Sequence, residues 1–166
     1  MTGIVGAARL YRLVLMLIQV ITEKNGIGIM EHSSEVKIEG GCLCRGLRYS
    51  ISAMPFDADH CHCRLCQKST GAVVASWMDF RTEQVSWLSS TPKEYASSET
   101  IRRGFCPNCG TSISFRDIDH PQYYTLSIAS LDDPNLVARQ YHIHTSSQLK
   151  WLNIKDETPK YSTSRR

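Results

Sequence analysis

The sequence predicts a mainly β protein with a single domain. Its short antiparallel strands are expected to be held together by bound metal ions. The chain has 166 residues, which is enough for one domain but not for two large ones. From Glu35 onward, apolar and polar residues alternate in short runs that are bounded by Gly, Pro, Ser or Asp, as in half-buried strands. Seven cysteines fall into two closely spaced pairs and one triple. For a domain of short strands, metal crosslinks supply stability that a modest core lacks.

The alternation predicts eight strands along the chain. They are Glu35–Glu39, Leu47–Ala53, Val73–Phe80, Val85–Leu88, Glu94–Ala96, Thr111–Phe115, Tyr123–Ile128 and Ala138–His144. Only two short helical turns are expected, at Arg64–Thr70 and Ser147–Leu152. We therefore expect an N-terminal extension over residues 1–34 that is not part of the domain, a domain over residues 35–155, and a polar C-terminal tail over residues 156–166 that is disordered toward its end.

The N-terminal extension contains one apolar stretch, Leu10–Ile21. It is too short to span a bilayer, so we expect no transmembrane helix and no membrane partner. The hydrophobic part of a signal peptide is an alternative, but no small residues mark a cleavage site after it. The simpler interpretation is an extension ahead of the domain, with Met30 as an alternative start.

The two cysteine pairs predict a structural zinc site. A tetrahedral zinc needs four ligands, and residues separated by one or two positions supply two of them without strain. Gly110, directly after the second pair, permits a tight turn and is expected to expose N–H groups to the sulfur atoms. The proposed ligands, called here the four-cysteine cluster, are Cys42, Cys44, Cys106 and Cys109.

Cys61, Cys63 and Cys66 form the remaining group, called here the cysteine triple. Three protein ligands leave a fourth zinc position open, as in catalytic sites. Alternatively, His60 or His62 completes a closed site, although His62 lies between two ligands and should point away from their metal. A zinc with three thiolates acidifies a bound water less than a zinc with three neutral histidine ligands does, and this favours thiol and aldehyde chemistry over hydrolysis.

Charge and redox chemistry restrict the expected partners and the expected cellular location. Seven thiolates and two Zn²⁺ ions would bring the formal charge of +3 to zero, and no basic stripe is present, so a nucleic-acid partner is not expected. An odd number of cysteines cannot all pair in disulfides, and closely spaced thiols must stay reduced to hold a metal. We therefore expect a cytoplasmic protein.

These residues, in this order, resemble the glutathione-dependent formaldehyde-activating enzyme family, whose domain also occurs in the centromere protein V family. The segments that carry the resemblance are GGCLC at 40–44, HCRLCQKSTGA at 62–72, RRGFCPNCGT at 102–111, SLDDP at 130–134, and Trp151. The resemblance covers roughly residues 35–155. It implies an Mss4-like zinc-bound fold with two zinc ions, a structural one in the four-cysteine cluster and a catalytic one in the cysteine triple. One departure is Arg45, where the family often has glycine.

The resemblance also implies a carbon-sulfur lyase similar to S-(hydroxymethyl)glutathione synthase, with glutathione and formaldehyde as substrates and the cysteine triple as the catalytic residues. Lys68 or Arg64 could bind a carboxylate of glutathione, or could belong to a solvated turn beside the anionic zinc. Arg102 and Arg103 are expected to offset the charge of the four-cysteine cluster. The competing hypothesis is a noncatalytic zinc module that binds a protein partner, as in the centromere protein V family. The oligomeric state is not predicted.

Overall fold

The computed structural model describes residues 38–165, so the apolar stretch Leu10–Ile21 lies outside the described residues. Within them the fold is mainly β, which confirms the predicted class. The elements are β1 (Ile38–Gly41), β2 (Arg48–Ile51), β3 (Asp57–Cys61), α1 (Arg64–Thr70), β4 (Ala75–Arg81), β5 (Val85–Trp87), β6 (Lys93–Ala96), β7 (Ile101–Phe105), β8 (Ser112–Asp117), β9 (Tyr123–Ser127) and β10 (Tyr141–Ile143). Short 3₁₀ turns occupy Thr82–Gln84, Ile128–Ser130, Pro134–Leu136 and Thr145–Ser147.

The strands form two sheets. The smaller has the order β1-β2-β5, and the larger has the order β10-β3-β4-β9-β8-β7-β6. Every pair is antiparallel except β10 with β3, which is parallel. The parallel pair brings Ile143 opposite Cys61, so the chain near residue 143 lies beside the cysteine triple.

The two faces of the larger sheet bury different clusters, because successive side chains of a strand point to opposite sides. On one face, Met78 and Phe80 of β4 pack with Tyr49 and Ile51 of the smaller sheet in the main core. On the other face, Trp77 packs with a second cluster that contains Cys61 and Cys66. The cysteine triple is therefore built on the face of the sheet that lies away from the main core.

Two strands were not predicted. β3 has the sequence DADHC and β7 has the sequence IRRGF, and neither shows the apolar alternation that marks the other strands. α1 spans the predicted Arg64–Thr70. The second predicted helical turn, Ser147–Leu152, has the wrong bounds, because the 3₁₀ turn there lies at Thr145–Ser147.

The C-terminal segment, residues 156–165, is ordered along β10, so the expectation of a disordered tail is wrong for these residues. The His142 N–H donates to the Pro159 carbonyl over 2.8 Å, and the Tyr161 N–H donates to the His142 carbonyl over 2.9 Å. Arg165 pairs with Asp57 of β3 over 2.9 Å. These backbone and ionic partners lie far away in sequence, which is why the polar composition alone suggested disorder. No helix among the described residues is long and apolar enough to cross a membrane.

Candidate metal centres

The four-cysteine cluster joins two turns. Cys42 and Cys44 follow β1, whereas Cys106 and Cys109 follow β7, and all four sulfur atoms lie within 4.8 Å of one another. The sulfur of Cys44 is 3.5 Å from that of Cys42 and 3.7 Å from that of Cys106. Four sulfurs around a tetrahedral zinc at 2.3 Å would be separated by about 3.8 Å. The donor set and its spacing therefore fit a zinc ion.

Both turns use a residue with positive φ directly after their second cysteine. Arg45 has φ 62° and Gly110 has φ 76°. The N–H of each closes its turn by donating over 2.9 Å to the carbonyl of the turn's first cysteine. Gly110 therefore permits the expected tight turn, but its own N–H bonds a carbonyl and not a sulfur.

The sulfur atoms take hydrogen bonds from other groups. The Leu47 N–H donates to the Cys42 sulfur over 3.2 Å. Thr111 Oγ1 accepts from the Leu43 N–H and lies 3.2 Å from the Cys109 sulfur, so its hydroxyl proton is free to donate there. Hydrogen bonds from the hydroxyl and the backbone of Thr111 lower the pKa of Cys109 to about 5. This environment favours the thiolate that a metal requires.

The cysteine triple lies where β3 ends and α1 begins. Cys61 is the last residue of β3, Cys63 is the N-cap of α1 and accepts from the Cys66 N–H over 3.3 Å, and the three sulfurs lie within 4.8 Å of one another. Hydrogen bonds from the thiols of Cys61 and Cys66 lower the pKa of Cys63 to about 2, whereas the contacts of Cys61 with Cys63 and Cys66 raise the pKa of Cys61. Because the protons of two thiols stabilise the thiolate of the third, the site suits a cation that replaces those protons.

Neither neighbouring histidine belongs to the cluster of metal-binding atoms that the described residues form. His60 Nδ1 lies 2.8 Å from the Ser76 hydroxyl. The ring of His62 is fully buried and turns to His142, with 2.9 Å between His62 Nε2 and His142 Nδ1. Burial lowers the pKa of His60 to about 4, and His142 adds to this effect. Among the described residues, the triple therefore offers three candidate ligands.

His142 lies in β10 and His144 follows the strand. His142 Nε2 lies 3.0 Å from Asp156 Oδ2. Arg139 also donates to that oxygen over 2.7 Å and, with His142, holds the pKa of Asp156 well below its usual range. The second histidine, at position 144, has φ 55° and caps a 3₁₀ turn. A buried chain of polar groups thus connects His62 to the C-terminal segment.

A cavity of about 420 Å³ lies beside α1. Arg103 lines it and places Nη1 3.9 Å from the Cys66 sulfur. The expectation that Arg103 serves the four-cysteine cluster is therefore wrong: its guanidinium contacts the triple. Lys68 lines the same cavity, and the remaining lining residues are Leu65, Ser69, Tyr95, Ser97, Gly104, Phe105, Gly110 and Ser112.

The other polar residues after the triple have structural partners. Gln67 is buried, and its Nε2 donates to the His62 carbonyl over 2.9 Å. Arg64 hydrogen-bonds to the Gln67 side chain. Of the two cations considered for a substrate carboxylate, Lys68 therefore faces the cavity while Arg64 is engaged with the helix. Trp151, one of the residues that carry the family resemblance, is 71% exposed.

The sequence pattern of the family described as glutathione-dependent formaldehyde-activating enzyme matches residues 37–147, which include every cysteine. A Schizosaccharomyces pombe protein described as an uncharacterized lyase is 31% identical over 77 residues, which is 46% of this chain and only 56% of that protein. A crystal structure of a Rhodobacter sphaeroides protein has 19% identity and a TM-score of 0.47, covering 74% of this chain and 98% of that one.

Proposed function

We propose that this chain, which belongs to the glutathione-dependent formaldehyde-activating enzyme family, is a zinc-dependent carbon-sulfur lyase that joins a thiol such as glutathione to formaldehyde. The observation that carries the proposal is the cysteine triple, a group of three mutually close thiols. It lies beside a cavity that is lined by two cationic side chains, Lys68 and Arg103. Closely spaced thiols that must stay reduced favour a cytoplasmic location.

The two clusters have different proposed roles. The four-cysteine cluster would hold a structural zinc, because four thiolates complete a tetrahedron. The triple would hold the catalytic zinc, which supplies a Lewis acid for a thiolate or a carbonyl oxygen. Arg103, 3.9 Å from the Cys66 sulfur, offsets the negative charge that three thiolates bring to this site.

The cavity provides the substrate contacts. Lys68 and Arg103 line it and can bind the carboxylates of glutathione by charge-assisted hydrogen bonds. Leu65, Tyr95 and Phe105 supply apolar walls against the peptide backbone and methylene groups of the ligand. In the proposed reaction the thiol sulfur forms a bond to the aldehyde carbon and the thiol proton moves to the aldehyde oxygen. Atoms and electrons balance without an oxidant.

Two-dimensional exchange NMR with ¹³C-formaldehyde and glutathione tests the activity, because it resolves catalysed exchange from the spontaneous reaction. Zinc-loaded protein should accelerate formation of the adduct in proportion to enzyme concentration. Arg103→Gln and Lys68→Ala should raise KM for glutathione about tenfold each, the size of one lost charged hydrogen bond. Arg102→Gln is the matched control, since Arg102 lies on the same strand but bonds the carbonyls of Ser98 and Glu99.

The result also decides between the two functional hypotheses. No acceleration by protein with both sites loaded would overturn the proposal and favour the noncatalytic module that binds a protein partner. An equal effect of Arg102→Gln and Arg103→Gln would instead contradict the assignment of the cavity as the glutathione site.

A further inference from the structure

The geometry points to Asp156 as a positioning residue for the cysteine triple, acting through the buried rings of His142 and His62. Asp156 Oδ2 lies 3.0 Å from His142 Nε2, and His142 Nδ1 lies 2.9 Å from His62 Nε2. The ring planes of His62 and His142 are inclined at 20° with centroids 5.2 Å apart, and both rings are buried. We call this group the histidine chain.

Two hydrogen bonds in series link Asp156 to His62. A carboxylate only accepts, so His142 Nε2 carries a hydrogen and donates to Asp156. The 2.9 Å contact between His142 Nδ1 and His62 Nε2 is the second hydrogen bond. The remaining nitrogen, His62 Nδ1, is buried without a hydrogen-bond partner in the described part of the chain. The ring of His62 is therefore held at one nitrogen, and Asp156 holds it through His142.

The histidine chain reaches the metal ligands through the backbone. His62 lies between Cys61 and Cys63, its N–H donates to the Ile143 carbonyl over 3.0 Å, and its carbonyl accepts from Gln67 Nε2 over 2.9 Å. Its ring is the third point of attachment. Because residue 62 lies between two of the three thiols in the chain, loss of this third attachment would let it shift and carry Cys61 and Cys63 with it.

Asp156 is itself held firmly. Arg139 Nη2 donates to its Oδ2 over 2.7 Å, and the Thr158 hydroxyl donates to its Oδ1 over 2.8 Å. Backbone hydrogen bonds attach the following residues to β10. Asp156 lies outside residues 37–147, the part of the chain that the family pattern matches. The C-terminal segment therefore adds to the triple a support that the matched pattern does not contain.

Co²⁺ titration tests this inference, which rests on the proposed function only in that the triple binds a metal. The difference spectrum between each protein and its Cys63→Ser counterpart isolates the triple from the four-cysteine cluster. Asp156→Ala should weaken Co²⁺ binding at the triple about tenfold or more, as loss of outer-shell support does at other metal sites, and should change the ligand-field bands. Asp156→Asn keeps an acceptor oxygen and should restore both. Arg165→Ala is the control, because it removes an anchor of the same segment that does not touch the histidine chain.

Unchanged affinity and bands in folded Asp156→Ala, or an equal loss in Arg165→Ala, would overturn the inference. Should Asp156→Ala fail to fold, long-range ¹H–¹⁵N spectra of the wild-type protein decide the matter. His142 Nε2 should carry a proton, and a His142 ring without a proton on Nε2 contradicts the inference. Neither readout requires lyase activity, so loss of the proposed enzymatic function with an intact histidine chain would be seen as a separate result.

Discussion

At the scale of single residues, Arg45 adopts a conformation that glycine would adopt more easily. Its φ of 62° is left-handed, and such a conformation disfavours a residue with a β-carbon by about 1–2 kcal/mol. Replacing Arg45 by glycine would remove this penalty, but part of the stability gained is lost because glycine has greater conformational freedom in the unfolded chain. We expect Arg45→Gly to raise the free energy of unfolding by about 0.5–1 kcal/mol in urea denaturation of the metal-loaded protein. Arg45→Ala keeps the β-carbon, and an equal gain from it would exclude backbone strain as the cause.

The cysteine triple yields a second prediction at this scale. Cys63→Ser leaves two thiolates, too few to hold zinc firmly, while the four-cysteine cluster and main core stay intact. The variant should lose about one metal ion per chain and all adduct-forming activity, yet remain folded. Mass spectrometry of the native protein and near-UV circular dichroism measure the two effects. Retention of both metal ions would show that the triple is not a metal site.

Arg103 shows why residues that line the cavity were harder to predict than the grouping of the cysteines. Ligand spacing is a local signal, and the structure groups the seven thiols as that spacing predicts. Because Arg103 is close in sequence to Cys106, we expected its charge to offset that of the four-cysteine cluster. The antiparallel pairing of β7 with β8 instead places it over Phe115, with 6.0 Å between guanidinium and ring, and beside Cys66. No sequence pattern near Arg103 reports that contact.

At the scale of secondary structure, an element with a local sequence signal was predicted, whereas an element that depends on distant contacts was missed. α1 was predicted, and it ends at a local signal, because Gly71 with φ 70° is its C-cap. β3 was missed because Asp57 and Asp59 resemble loop residues. Asp57 accepts hydrogen bonds from Tyr141 and Arg165, over 2.7 and 2.9 Å, and both partners lie far along the chain. A polar strand of this kind is stabilised by tertiary contacts that its local sequence does not show.

β1 offers a prediction about close packing within an element. A β-carbon at Gly40 would lie 2.3 Å from the Tyr49 hydroxyl oxygen and 2.5 Å from the Ser130 carbonyl oxygen. Because one obstacle is backbone and the other is the ring of a fully buried tyrosine, neither moves easily. Gly40→Ala should lower the free energy of unfolding by about 2–3 kcal/mol. Gly71→Ala is the control: it meets no atom within 4 Å and should cost only about 1 kcal/mol for its positive φ. Equal losses would argue against the packing explanation.

At the scale of the whole molecule, the four-cysteine cluster connects the two sheets. Cys42 and Cys44 follow β1 of the smaller sheet, and Cys106 and Cys109 follow β7 of the larger one. A structural zinc contributes on the order of 10 kcal/mol in small domains. Chelation, or Cys106→Ser, should therefore lower the melting temperature by more than about 10 °C in differential scanning calorimetry. The melting temperature of Cys63→Ser should fall much less. If the metal-free protein had the same melting temperature as the metal-loaded protein, this cluster would have no structural role.

The C-terminal segment also has a consequence for self-association. β10 is the outermost strand of the larger sheet, and the segment occupies its free side, where the His144 N–H donates to the Thr163 carbonyl over 2.9 Å. A strand edge with unpaired N–H and C=O groups is a template for a strand of another molecule. A chain cleaved before Asp156 would expose such an edge. In light scattering it should aggregate at concentrations at which the full chain does not, with β10 as the point where the molecules join.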